Sequence, residues 1–183
     1  MRAGASCPMG YDHLETVADR QQRRALILAQ RSGKPVARAR KALDFAIGET
    51  TRSEAQGWAS KHGGSCRPQR SSYLAECSGP FFKSDSSTLW LEFDANDRLV
   101  SARGIEKYKS PEAAMTLFKQ VLHQMKKQTD AVVTETGTAQ IATLKTGLLQ
   151  QASVFSDFKN YSAEARLTNM GDSFAVTHDF LGF

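Results

Sequence analysis

No apolar run in this chain approaches the roughly 18–20 residues that a bilayer-spanning helix requires. The longest near the start, residues 25–29 (ALILA), is far too short. The chain also lacks any C-x-x-C or H-x-x-x-H pairing, so the usual ligand spacing of a structural zinc site is missing. No glycine-rich dinucleotide fingerprint occurs. SGKP at residues 32–35 lacks the first glycine of a P-loop, and its proline disrupts the start of a following helix. Asp94 and Asp97 are too few oxygen ligands for a calcium loop and fall where turn chemistry alone explains aspartate. Catalytic, metal and cofactor residues are therefore not expected.

The hydrophobic content is 40%, enough for a core, and 183 residues make one ordinary domain or two small ones. The net charge of +5 is unevenly placed. From Arg20 to Lys41 there are eight basic residues and no acidic one, whereas residues 41–183 are neutral overall. A stripe of this kind suggests contact with nucleic acid or anionic lipid through residues 20–41. The bland alternative is a solvated tail, and the segment has little of the aromatic interleaving that single-strand binding uses.

Three parts follow from the patterning. Residues 1–41 form a basic leader, expected to be peripheral, mobile or a processing segment. ALILA followed by VARA at residues 36–39 imitates the order of a signal peptide, but its apolar core is too short and is broken by QRSGKP. A helix over residues 14–30 would align Val17, Gln21, Arg24 and Leu28, a poor core face.

The second part, residues 42–109, opens with Leu43, Phe45 and Ile47 alternating as in a short strand. Thr51 and Glu54 have capping-box spacing, Ala55, Trp58 and Ala59 give the following helix a buried face, and Gly63 and Gly64 end it. An extended stretch through SSYLAEC leads to a hairpin, TLWLEF–DAND–RLVSAR, in which Leu89, Leu91 and Phe93 alternate against Trp90 and Glu92.

The third part, residues 110–183, begins with the clearest helix. Ser110 caps it, Pro111 and Glu112 suit its first turn, and Ala114, Leu117, Phe118, Val121, Leu122 and Met125 form one apolar stripe. AVVTET reads as a strand, AQIATLKTGLLQQA is ambiguous between loop and helix, and YSAEARL–TNMGD–SFAVTHDF reads as a second hairpin. The two parts repeat one order of helix, extended segment and hairpin. The expected class is α+β, helices packed on an antiparallel sheet, as two tandem units forming one globular body.

An apolar strand, Gly48, Thr50, an acidic-capped short helix ending at Gly63 and the WLEFDANDRLVSA hairpin resemble the beta-lactamase-inhibitory-protein-like fold, shared by small outer-membrane assembly lipoproteins. Ile47, Glu54 and Ala55 belong to the same likeness. The resemblance covers residues 42–108 and implies the fold and a bacterial envelope or periplasmic compartment. The lipoprotein-type cysteine is absent, since no apolar run precedes Cys7, and no functional residue carries over.

Cys66 and Cys77 bracket ten mostly polar residues and are expected to form a disulfide. The alternatives are two unrelated thiols, a zinc site with His62, or a catalytic thiol at Cys66 with His178 as base and Asp179 nearby. The last is weakened because neighbours on a strand point to opposite faces. His123 falls on a polar helix face and His13 in the leader. The leading expectation is a non-enzymatic protein-binding or structural module of the cell envelope, with Tyr73, Phe81, Phe82 and Trp90 as partner contacts or, equally, as core. The alternatives are a cytoplasmic nucleic-acid-associated protein acting through the leader, and a thiol hydrolase using Cys66.

Overall fold

The computed structural model describes residues 17–69, 73–128, 134–137, 139–146 and 149–183. It is an α+β fold in which four helices pack on an eight-stranded antiparallel sheet. The leader helix α1 spans Val17–Gln30. A small hairpin, β1 (Lys41–Ala42) and β2 (Phe45–Ala46), comes next. Then α2 (Arg52–Lys61) leads into β3 (Ser65–Pro68), β4 (Leu74–Ser78), β5 (Ser86–Phe93) and β6 (Leu99–Tyr108). Helix α3 (Pro111–Gln128) opens the second half, followed by β7 (Thr134–Gly137), a short α4 (Ile141–Thr146), β8 (Leu149–Asp157), β9 (Tyr161–Asn169) and β10 (Phe174–Gly182).

The strand order is β3-β4-β5-β6-β10-β9-β8-β7. Each half is a four-stranded meander preceded by a helix, and the two halves join through their last strands. The order is symmetric about the β6–β10 pair, so the repeat of element order in the sequence reappears as a repeat in space.

Two local readings change. The alternation of Leu43, Phe45 and Ile47 marks no single strand: the chain folds back at Leu43, which takes a φ of 58°, and Ala42 pairs with Phe45. Ala42, Phe45 and Ile47 are nonetheless buried, because a tight hairpin on the core imitates the burial period of a strand. The ambiguous stretch divides into α4 and β8. Of AVVTET, residues 131–133 lie outside the described residues, and β7 takes up the rest.

The ends of α2 follow local chemistry. Thr51 Oγ1 accepts the Glu54 N–H at 3.2 Å while the Glu54 carboxylate accepts the Thr51 N–H at 2.7 Å. These reciprocal bonds satisfy two otherwise orphaned donors and hold the Glu54 carboxyl below its ordinary range. After the helix, Gly63 turns at a φ of 73°. Gly64 is required for space: a Cβ there would lie 2.4 Å from the Phe81 ring and 2.6 Å from the Ser78 carbonyl oxygen.

One sheet face is dry. On β4, β5 and β6 it presents Ala75, Cys77, Leu89, Leu91 and Ala102. On β10, β9 and β8 it presents Val176, Phe180, Ala163, Ala165, Leu167 and Val154. Helix α3 crosses β9, β10 and β6. The small Ala163 and Ala165 leave room for its buried Phe118, Val121 and Met125. Trp58 of α2 packs edge-on against Phe45 at 4.9 Å and against Phe81 at 5.1 Å.

Phe118 is 2% exposed at the centre of this packing. Phe118→Ala is expected to cost about 3–5 kcal/mol by removing a buried ring that its neighbours only partly replace. Urea denaturation followed by circular dichroism measures the loss; a change below ~1 kcal/mol would mean that α3 is not seated as described.

Candidate functional site

The sequence singled out two cysteines, and the fold joins them. Cys66 on β3 stands directly opposite Cys77 on β4, and the two form a disulfide with an S–S distance of 2.05 Å. Among the described residues β3 lies at the edge of the sheet, so the bond ties an edge strand to its neighbour β4. Closing a loop of 11 residues' separation stabilises by about 3 kcal/mol through loop-closure entropy. In this state Cys66 has no thiolate to offer as a nucleophile. His62 lies elsewhere, its Nδ1 2.8 Å from the Trp58 carbonyl oxygen. Among the described residues, no three His, Cys, Asp or Glu side chains come together as a metal site would need.

His178 and Asp179 face opposite sides of the sheet, as strand geometry requires. His178 points into the core, where its Nε2 is 3.1 Å from Glu106 Oε1, with both side chains under 5% exposed. The distance is that of an ion pair, but the ring is not aligned for a hydrogen bond. The Tyr108 hydroxyl donates to Glu106 Oε2 at 2.7 Å. Burial, and then that hydrogen bond and the carboxylate's charge, hold the Tyr108 phenol above its ordinary range. A Cβ placed on Gly104, opposite His178, would lie 3.9 Å from the imidazole, 3.9 Å from the Phe82 ring and 3.8 Å from Leu43. The network is therefore roofed by apolar groups rather than open to a substrate.

Asp179 faces outward and accepts from two arginines, Arg103 on β6 and Arg166 on β9. Arg166 also approaches Glu164 at 3.5 Å. Beside this charged row is a depression of about 390 Å³ lined by Leu74, Trp90, Glu92, Ser101, Arg103 and Ile105. Leu74, Trp90 and Ile105 are half-buried and form an apolar island on the face opposite the α2, α3 and α4 packing.

The expected partner contacts separate. Trp90 stands on the outer face. Phe81 packs against Trp58, with Phe82 6.4 Å away in an edge-on arrangement. Tyr73 lines a different groove, beneath α1. Sequence reasoning missed Leu74, Ile105, Arg103 and Arg166, and considered Asp179 only as the neighbour of His178. The signal for Ile105 lay in the strand alternation of β6, but the arginine–aspartate pairing needed the register between distant strands.

The basic leader engages the body of the protein. Arg31 and Lys34 both meet the Asp157 carboxylate, and Arg31 Nε donates to the Phe158 carbonyl at 2.8 Å. The Arg31 guanidinium also lies 4.0 Å over the Phe183 ring.

No protein-family model, no curated protein and no solved structure matches the chain.

Removing one member of the buried network strands the others. Glu106→Ala is expected to cost about 3–5 kcal/mol. Replacing Glu106 and His178 together by leucine is expected to recover most of that loss, since a buried polar pair contributes little against well-packed apolar groups. Urea unfolding of the three proteins decides: a double variant no better than Glu106→Ala would show that the polar pair itself holds the fold.

Proposed function

We propose that this protein is a non-enzymatic protein-binding module of the bacterial cell envelope, and that it binds its partner through the outer face of the sheet around Trp90. The observation that carries the reading is the depression around Trp90, which no described helix lines. With α2, α3 and α4 on the inner face, the outer face keeps a half-exposed tryptophan between Leu74 and Ile105, rimmed by charged Arg103 and Glu92. An aromatic anchor in a shallow apolar depression with a charged rim is the usual composition of an interface centre. The disulfide supports an oxidising compartment such as the periplasm.

The two other readings have less support. A hydrolase using Cys66 needs a thiolate that the disulfide removes. Nucleic-acid binding through residues 20–41 would have to proceed without Arg31 and Lys34, which already neutralise Asp157.

A photo-crosslinking amino acid at Ser101, inside the depression, tests the face. It is expected to give a discrete adduct in envelope fractions, whereas the same probe at the exposed Lys119 of α3 gives none. Trp90→Ala should reduce the Ser101 adduct by roughly 30-fold, the effect of losing one interface hot spot of about 2 kcal/mol. Equal adducts from both positions, or an adduct indifferent to Trp90→Ala in a protein with an unchanged circular dichroism spectrum, would sink the assignment.

The compartment is tested separately. When free thiols are alkylated at lysis, intact mass should show Cys66 and Cys77 unmodified in the native protein and modified after reduction. Labels on both Cys66 and Cys77 before reduction, beyond that on Cys7, would place the chain in a reducing compartment.

A further inference from the structure

After α1 the leader continues as a strap, residues 31–41, that follows the turn between β8 and β9. Arg31 Nε donates to the Phe158 carbonyl at 2.8 Å. The Lys159 N–H donates to the Pro35 carbonyl at 2.7 Å, and the Ala37 N–H donates to Asn160 Oδ1 at 2.8 Å. The Tyr161 hydroxyl donates to the Lys41 carbonyl. These bonds fix the backbone of the strap and bury Ala37, while Val36 and Arg38 on either side of it stay exposed.

The charge at this place is almost all of one sign. Residues 31–41 and 157–161 together hold six basic side chains and one acidic, Asp157, which Arg31 and Lys34 already meet. Arg40 lies over Gly48, where a Cβ would be 2.8 Å from its guanidinium. Lys41 and Lys159 are exposed. Asp44, in the hairpin that follows, is turned to Trp58, whose indole N–H donates to it at 3.0 Å.

Apolar exposure coincides with this charge. Among the described residues the two most exposed large hydrophobic side chains are Val36, at 62%, and Leu26, at 59%. Both lie within residues 20–41, the stretch with eight basic groups and no acidic one. A surface for single-stranded nucleic acid would offer aromatic rings for stacking, but Phe158, Tyr161 and Phe183 at this place are buried. Aliphatic groups set among lysines and arginines suit the boundary between lipid headgroups and acyl chains.

We propose that the strap docks on an anionic phospholipid surface, with Lys41 and Lys159 at lipid phosphates and Val36 inserted at the edge of the acyl chains. The contact is peripheral and needs no spanning helix. It goes beyond the protein-binding reading, since it concerns other residues and another class of partner.

Vesicle flotation of the full chain tests the proposal. The chain is expected to float with vesicles of equal parts phosphatidylglycerol and phosphatidylcholine, and not with phosphatidylcholine alone. Raising salt from about 0.1 M to about 1 M shortens the Debye length from about 10 Å to about 3 Å and should release it. Lys159→Gln and Lys41→Gln should each weaken partition by about fivefold, the usual effect of one basic group at such a surface. Val36→Asp should weaken it by about tenfold, through loss of the inserted group and added repulsion. A chain that stays unbound, or that floats equally with both vesicles, overturns the proposal. So does a Val36→Asp protein with an unchanged circular dichroism spectrum that floats as well as the original. A random-sequence DNA duplex that strips the chain from the vesicles at equal phosphate concentration would assign the strap to nucleic acid instead. None of these outcomes bears on the Ser101 crosslink, so the two readings stand or fall separately.

Discussion

Both faces of the molecule depend on one pairing, that of β6 with β10 at the centre of the sheet. Its register runs from Ser101 opposite Leu181 to Tyr108 opposite Phe174. That register brings His178 within reach of Glu106 on the dry side and sets Arg103 directly opposite Asp179 on the wet side. Side-chain direction alternates along a strand, so a slip of one residue would carry Glu106 to solvent and drive Arg103 into the core. Ionic groups on the two faces thus favour the same alignment. We read the Glu106–His178 contact as a register pin rather than a source of net stability, because the cost of desolvating buried polar groups offsets most of their attraction.

The central pair also explains why the halves behave as one body. Each meander alone would end in an exposed edge, β6 in one case and β10 in the other, with unpaired backbone donors and acceptors. Pairing them removes both edges and, among the described residues, leaves β3 and β7 outermost. The two remaining edges are short, four residues each, and β3 is further held by the Cys66–Cys77 bond. An antiparallel sheet of this kind tolerates one solvated face; α2, α3 and α4 collect on the other, while α1 lies beside Glu92 and Leu181 at one end of the solvated face.

How much of this was legible in the sequence depended on the range of the interactions involved. The α3 stripe and the hairpins β5–β6 and β9–β10 are set by residues within a turn or a strand of one another, and periodicity exposed them. So was the capping box of α2, which spans three residues. The β1–β2 hairpin was hidden because its turn uses Leu43 and Asp44 rather than a glycine, and its alternation imitated a strand. Strand β3, SCRP, carries no alternation at all. Within the candidate site, Trp90 was legible as the odd member between Leu89 and Leu91. The Arg103–Asp179–Arg166 row was not, since Arg103 and Asp179 are 76 residues apart and meet only through register. Net charge is incomplete for a related reason. A count of basic residues in the leader cannot see that Asp157 takes up two of them.

The strand order is symmetric, but the surface is not. Viewed on the outer face, the first half carries Leu74, Trp90 and Ile105 on β4, β5 and β6, while β8, β9 and β10 in the corresponding places of the second half carry Phe155, Arg166 and Thr177. Asp157, at the end of β8, holds the N-terminal segment through Arg31 and Lys34. A duplicated scaffold with identical surfaces would present two equivalent binding faces and invite the chain to pair with itself. Here the halves have divided the work. The second half anchors the leader, and the first half keeps the exposed aromatic island. That asymmetry argues for one partner per chain, met on the side of the sheet where Trp90 stands.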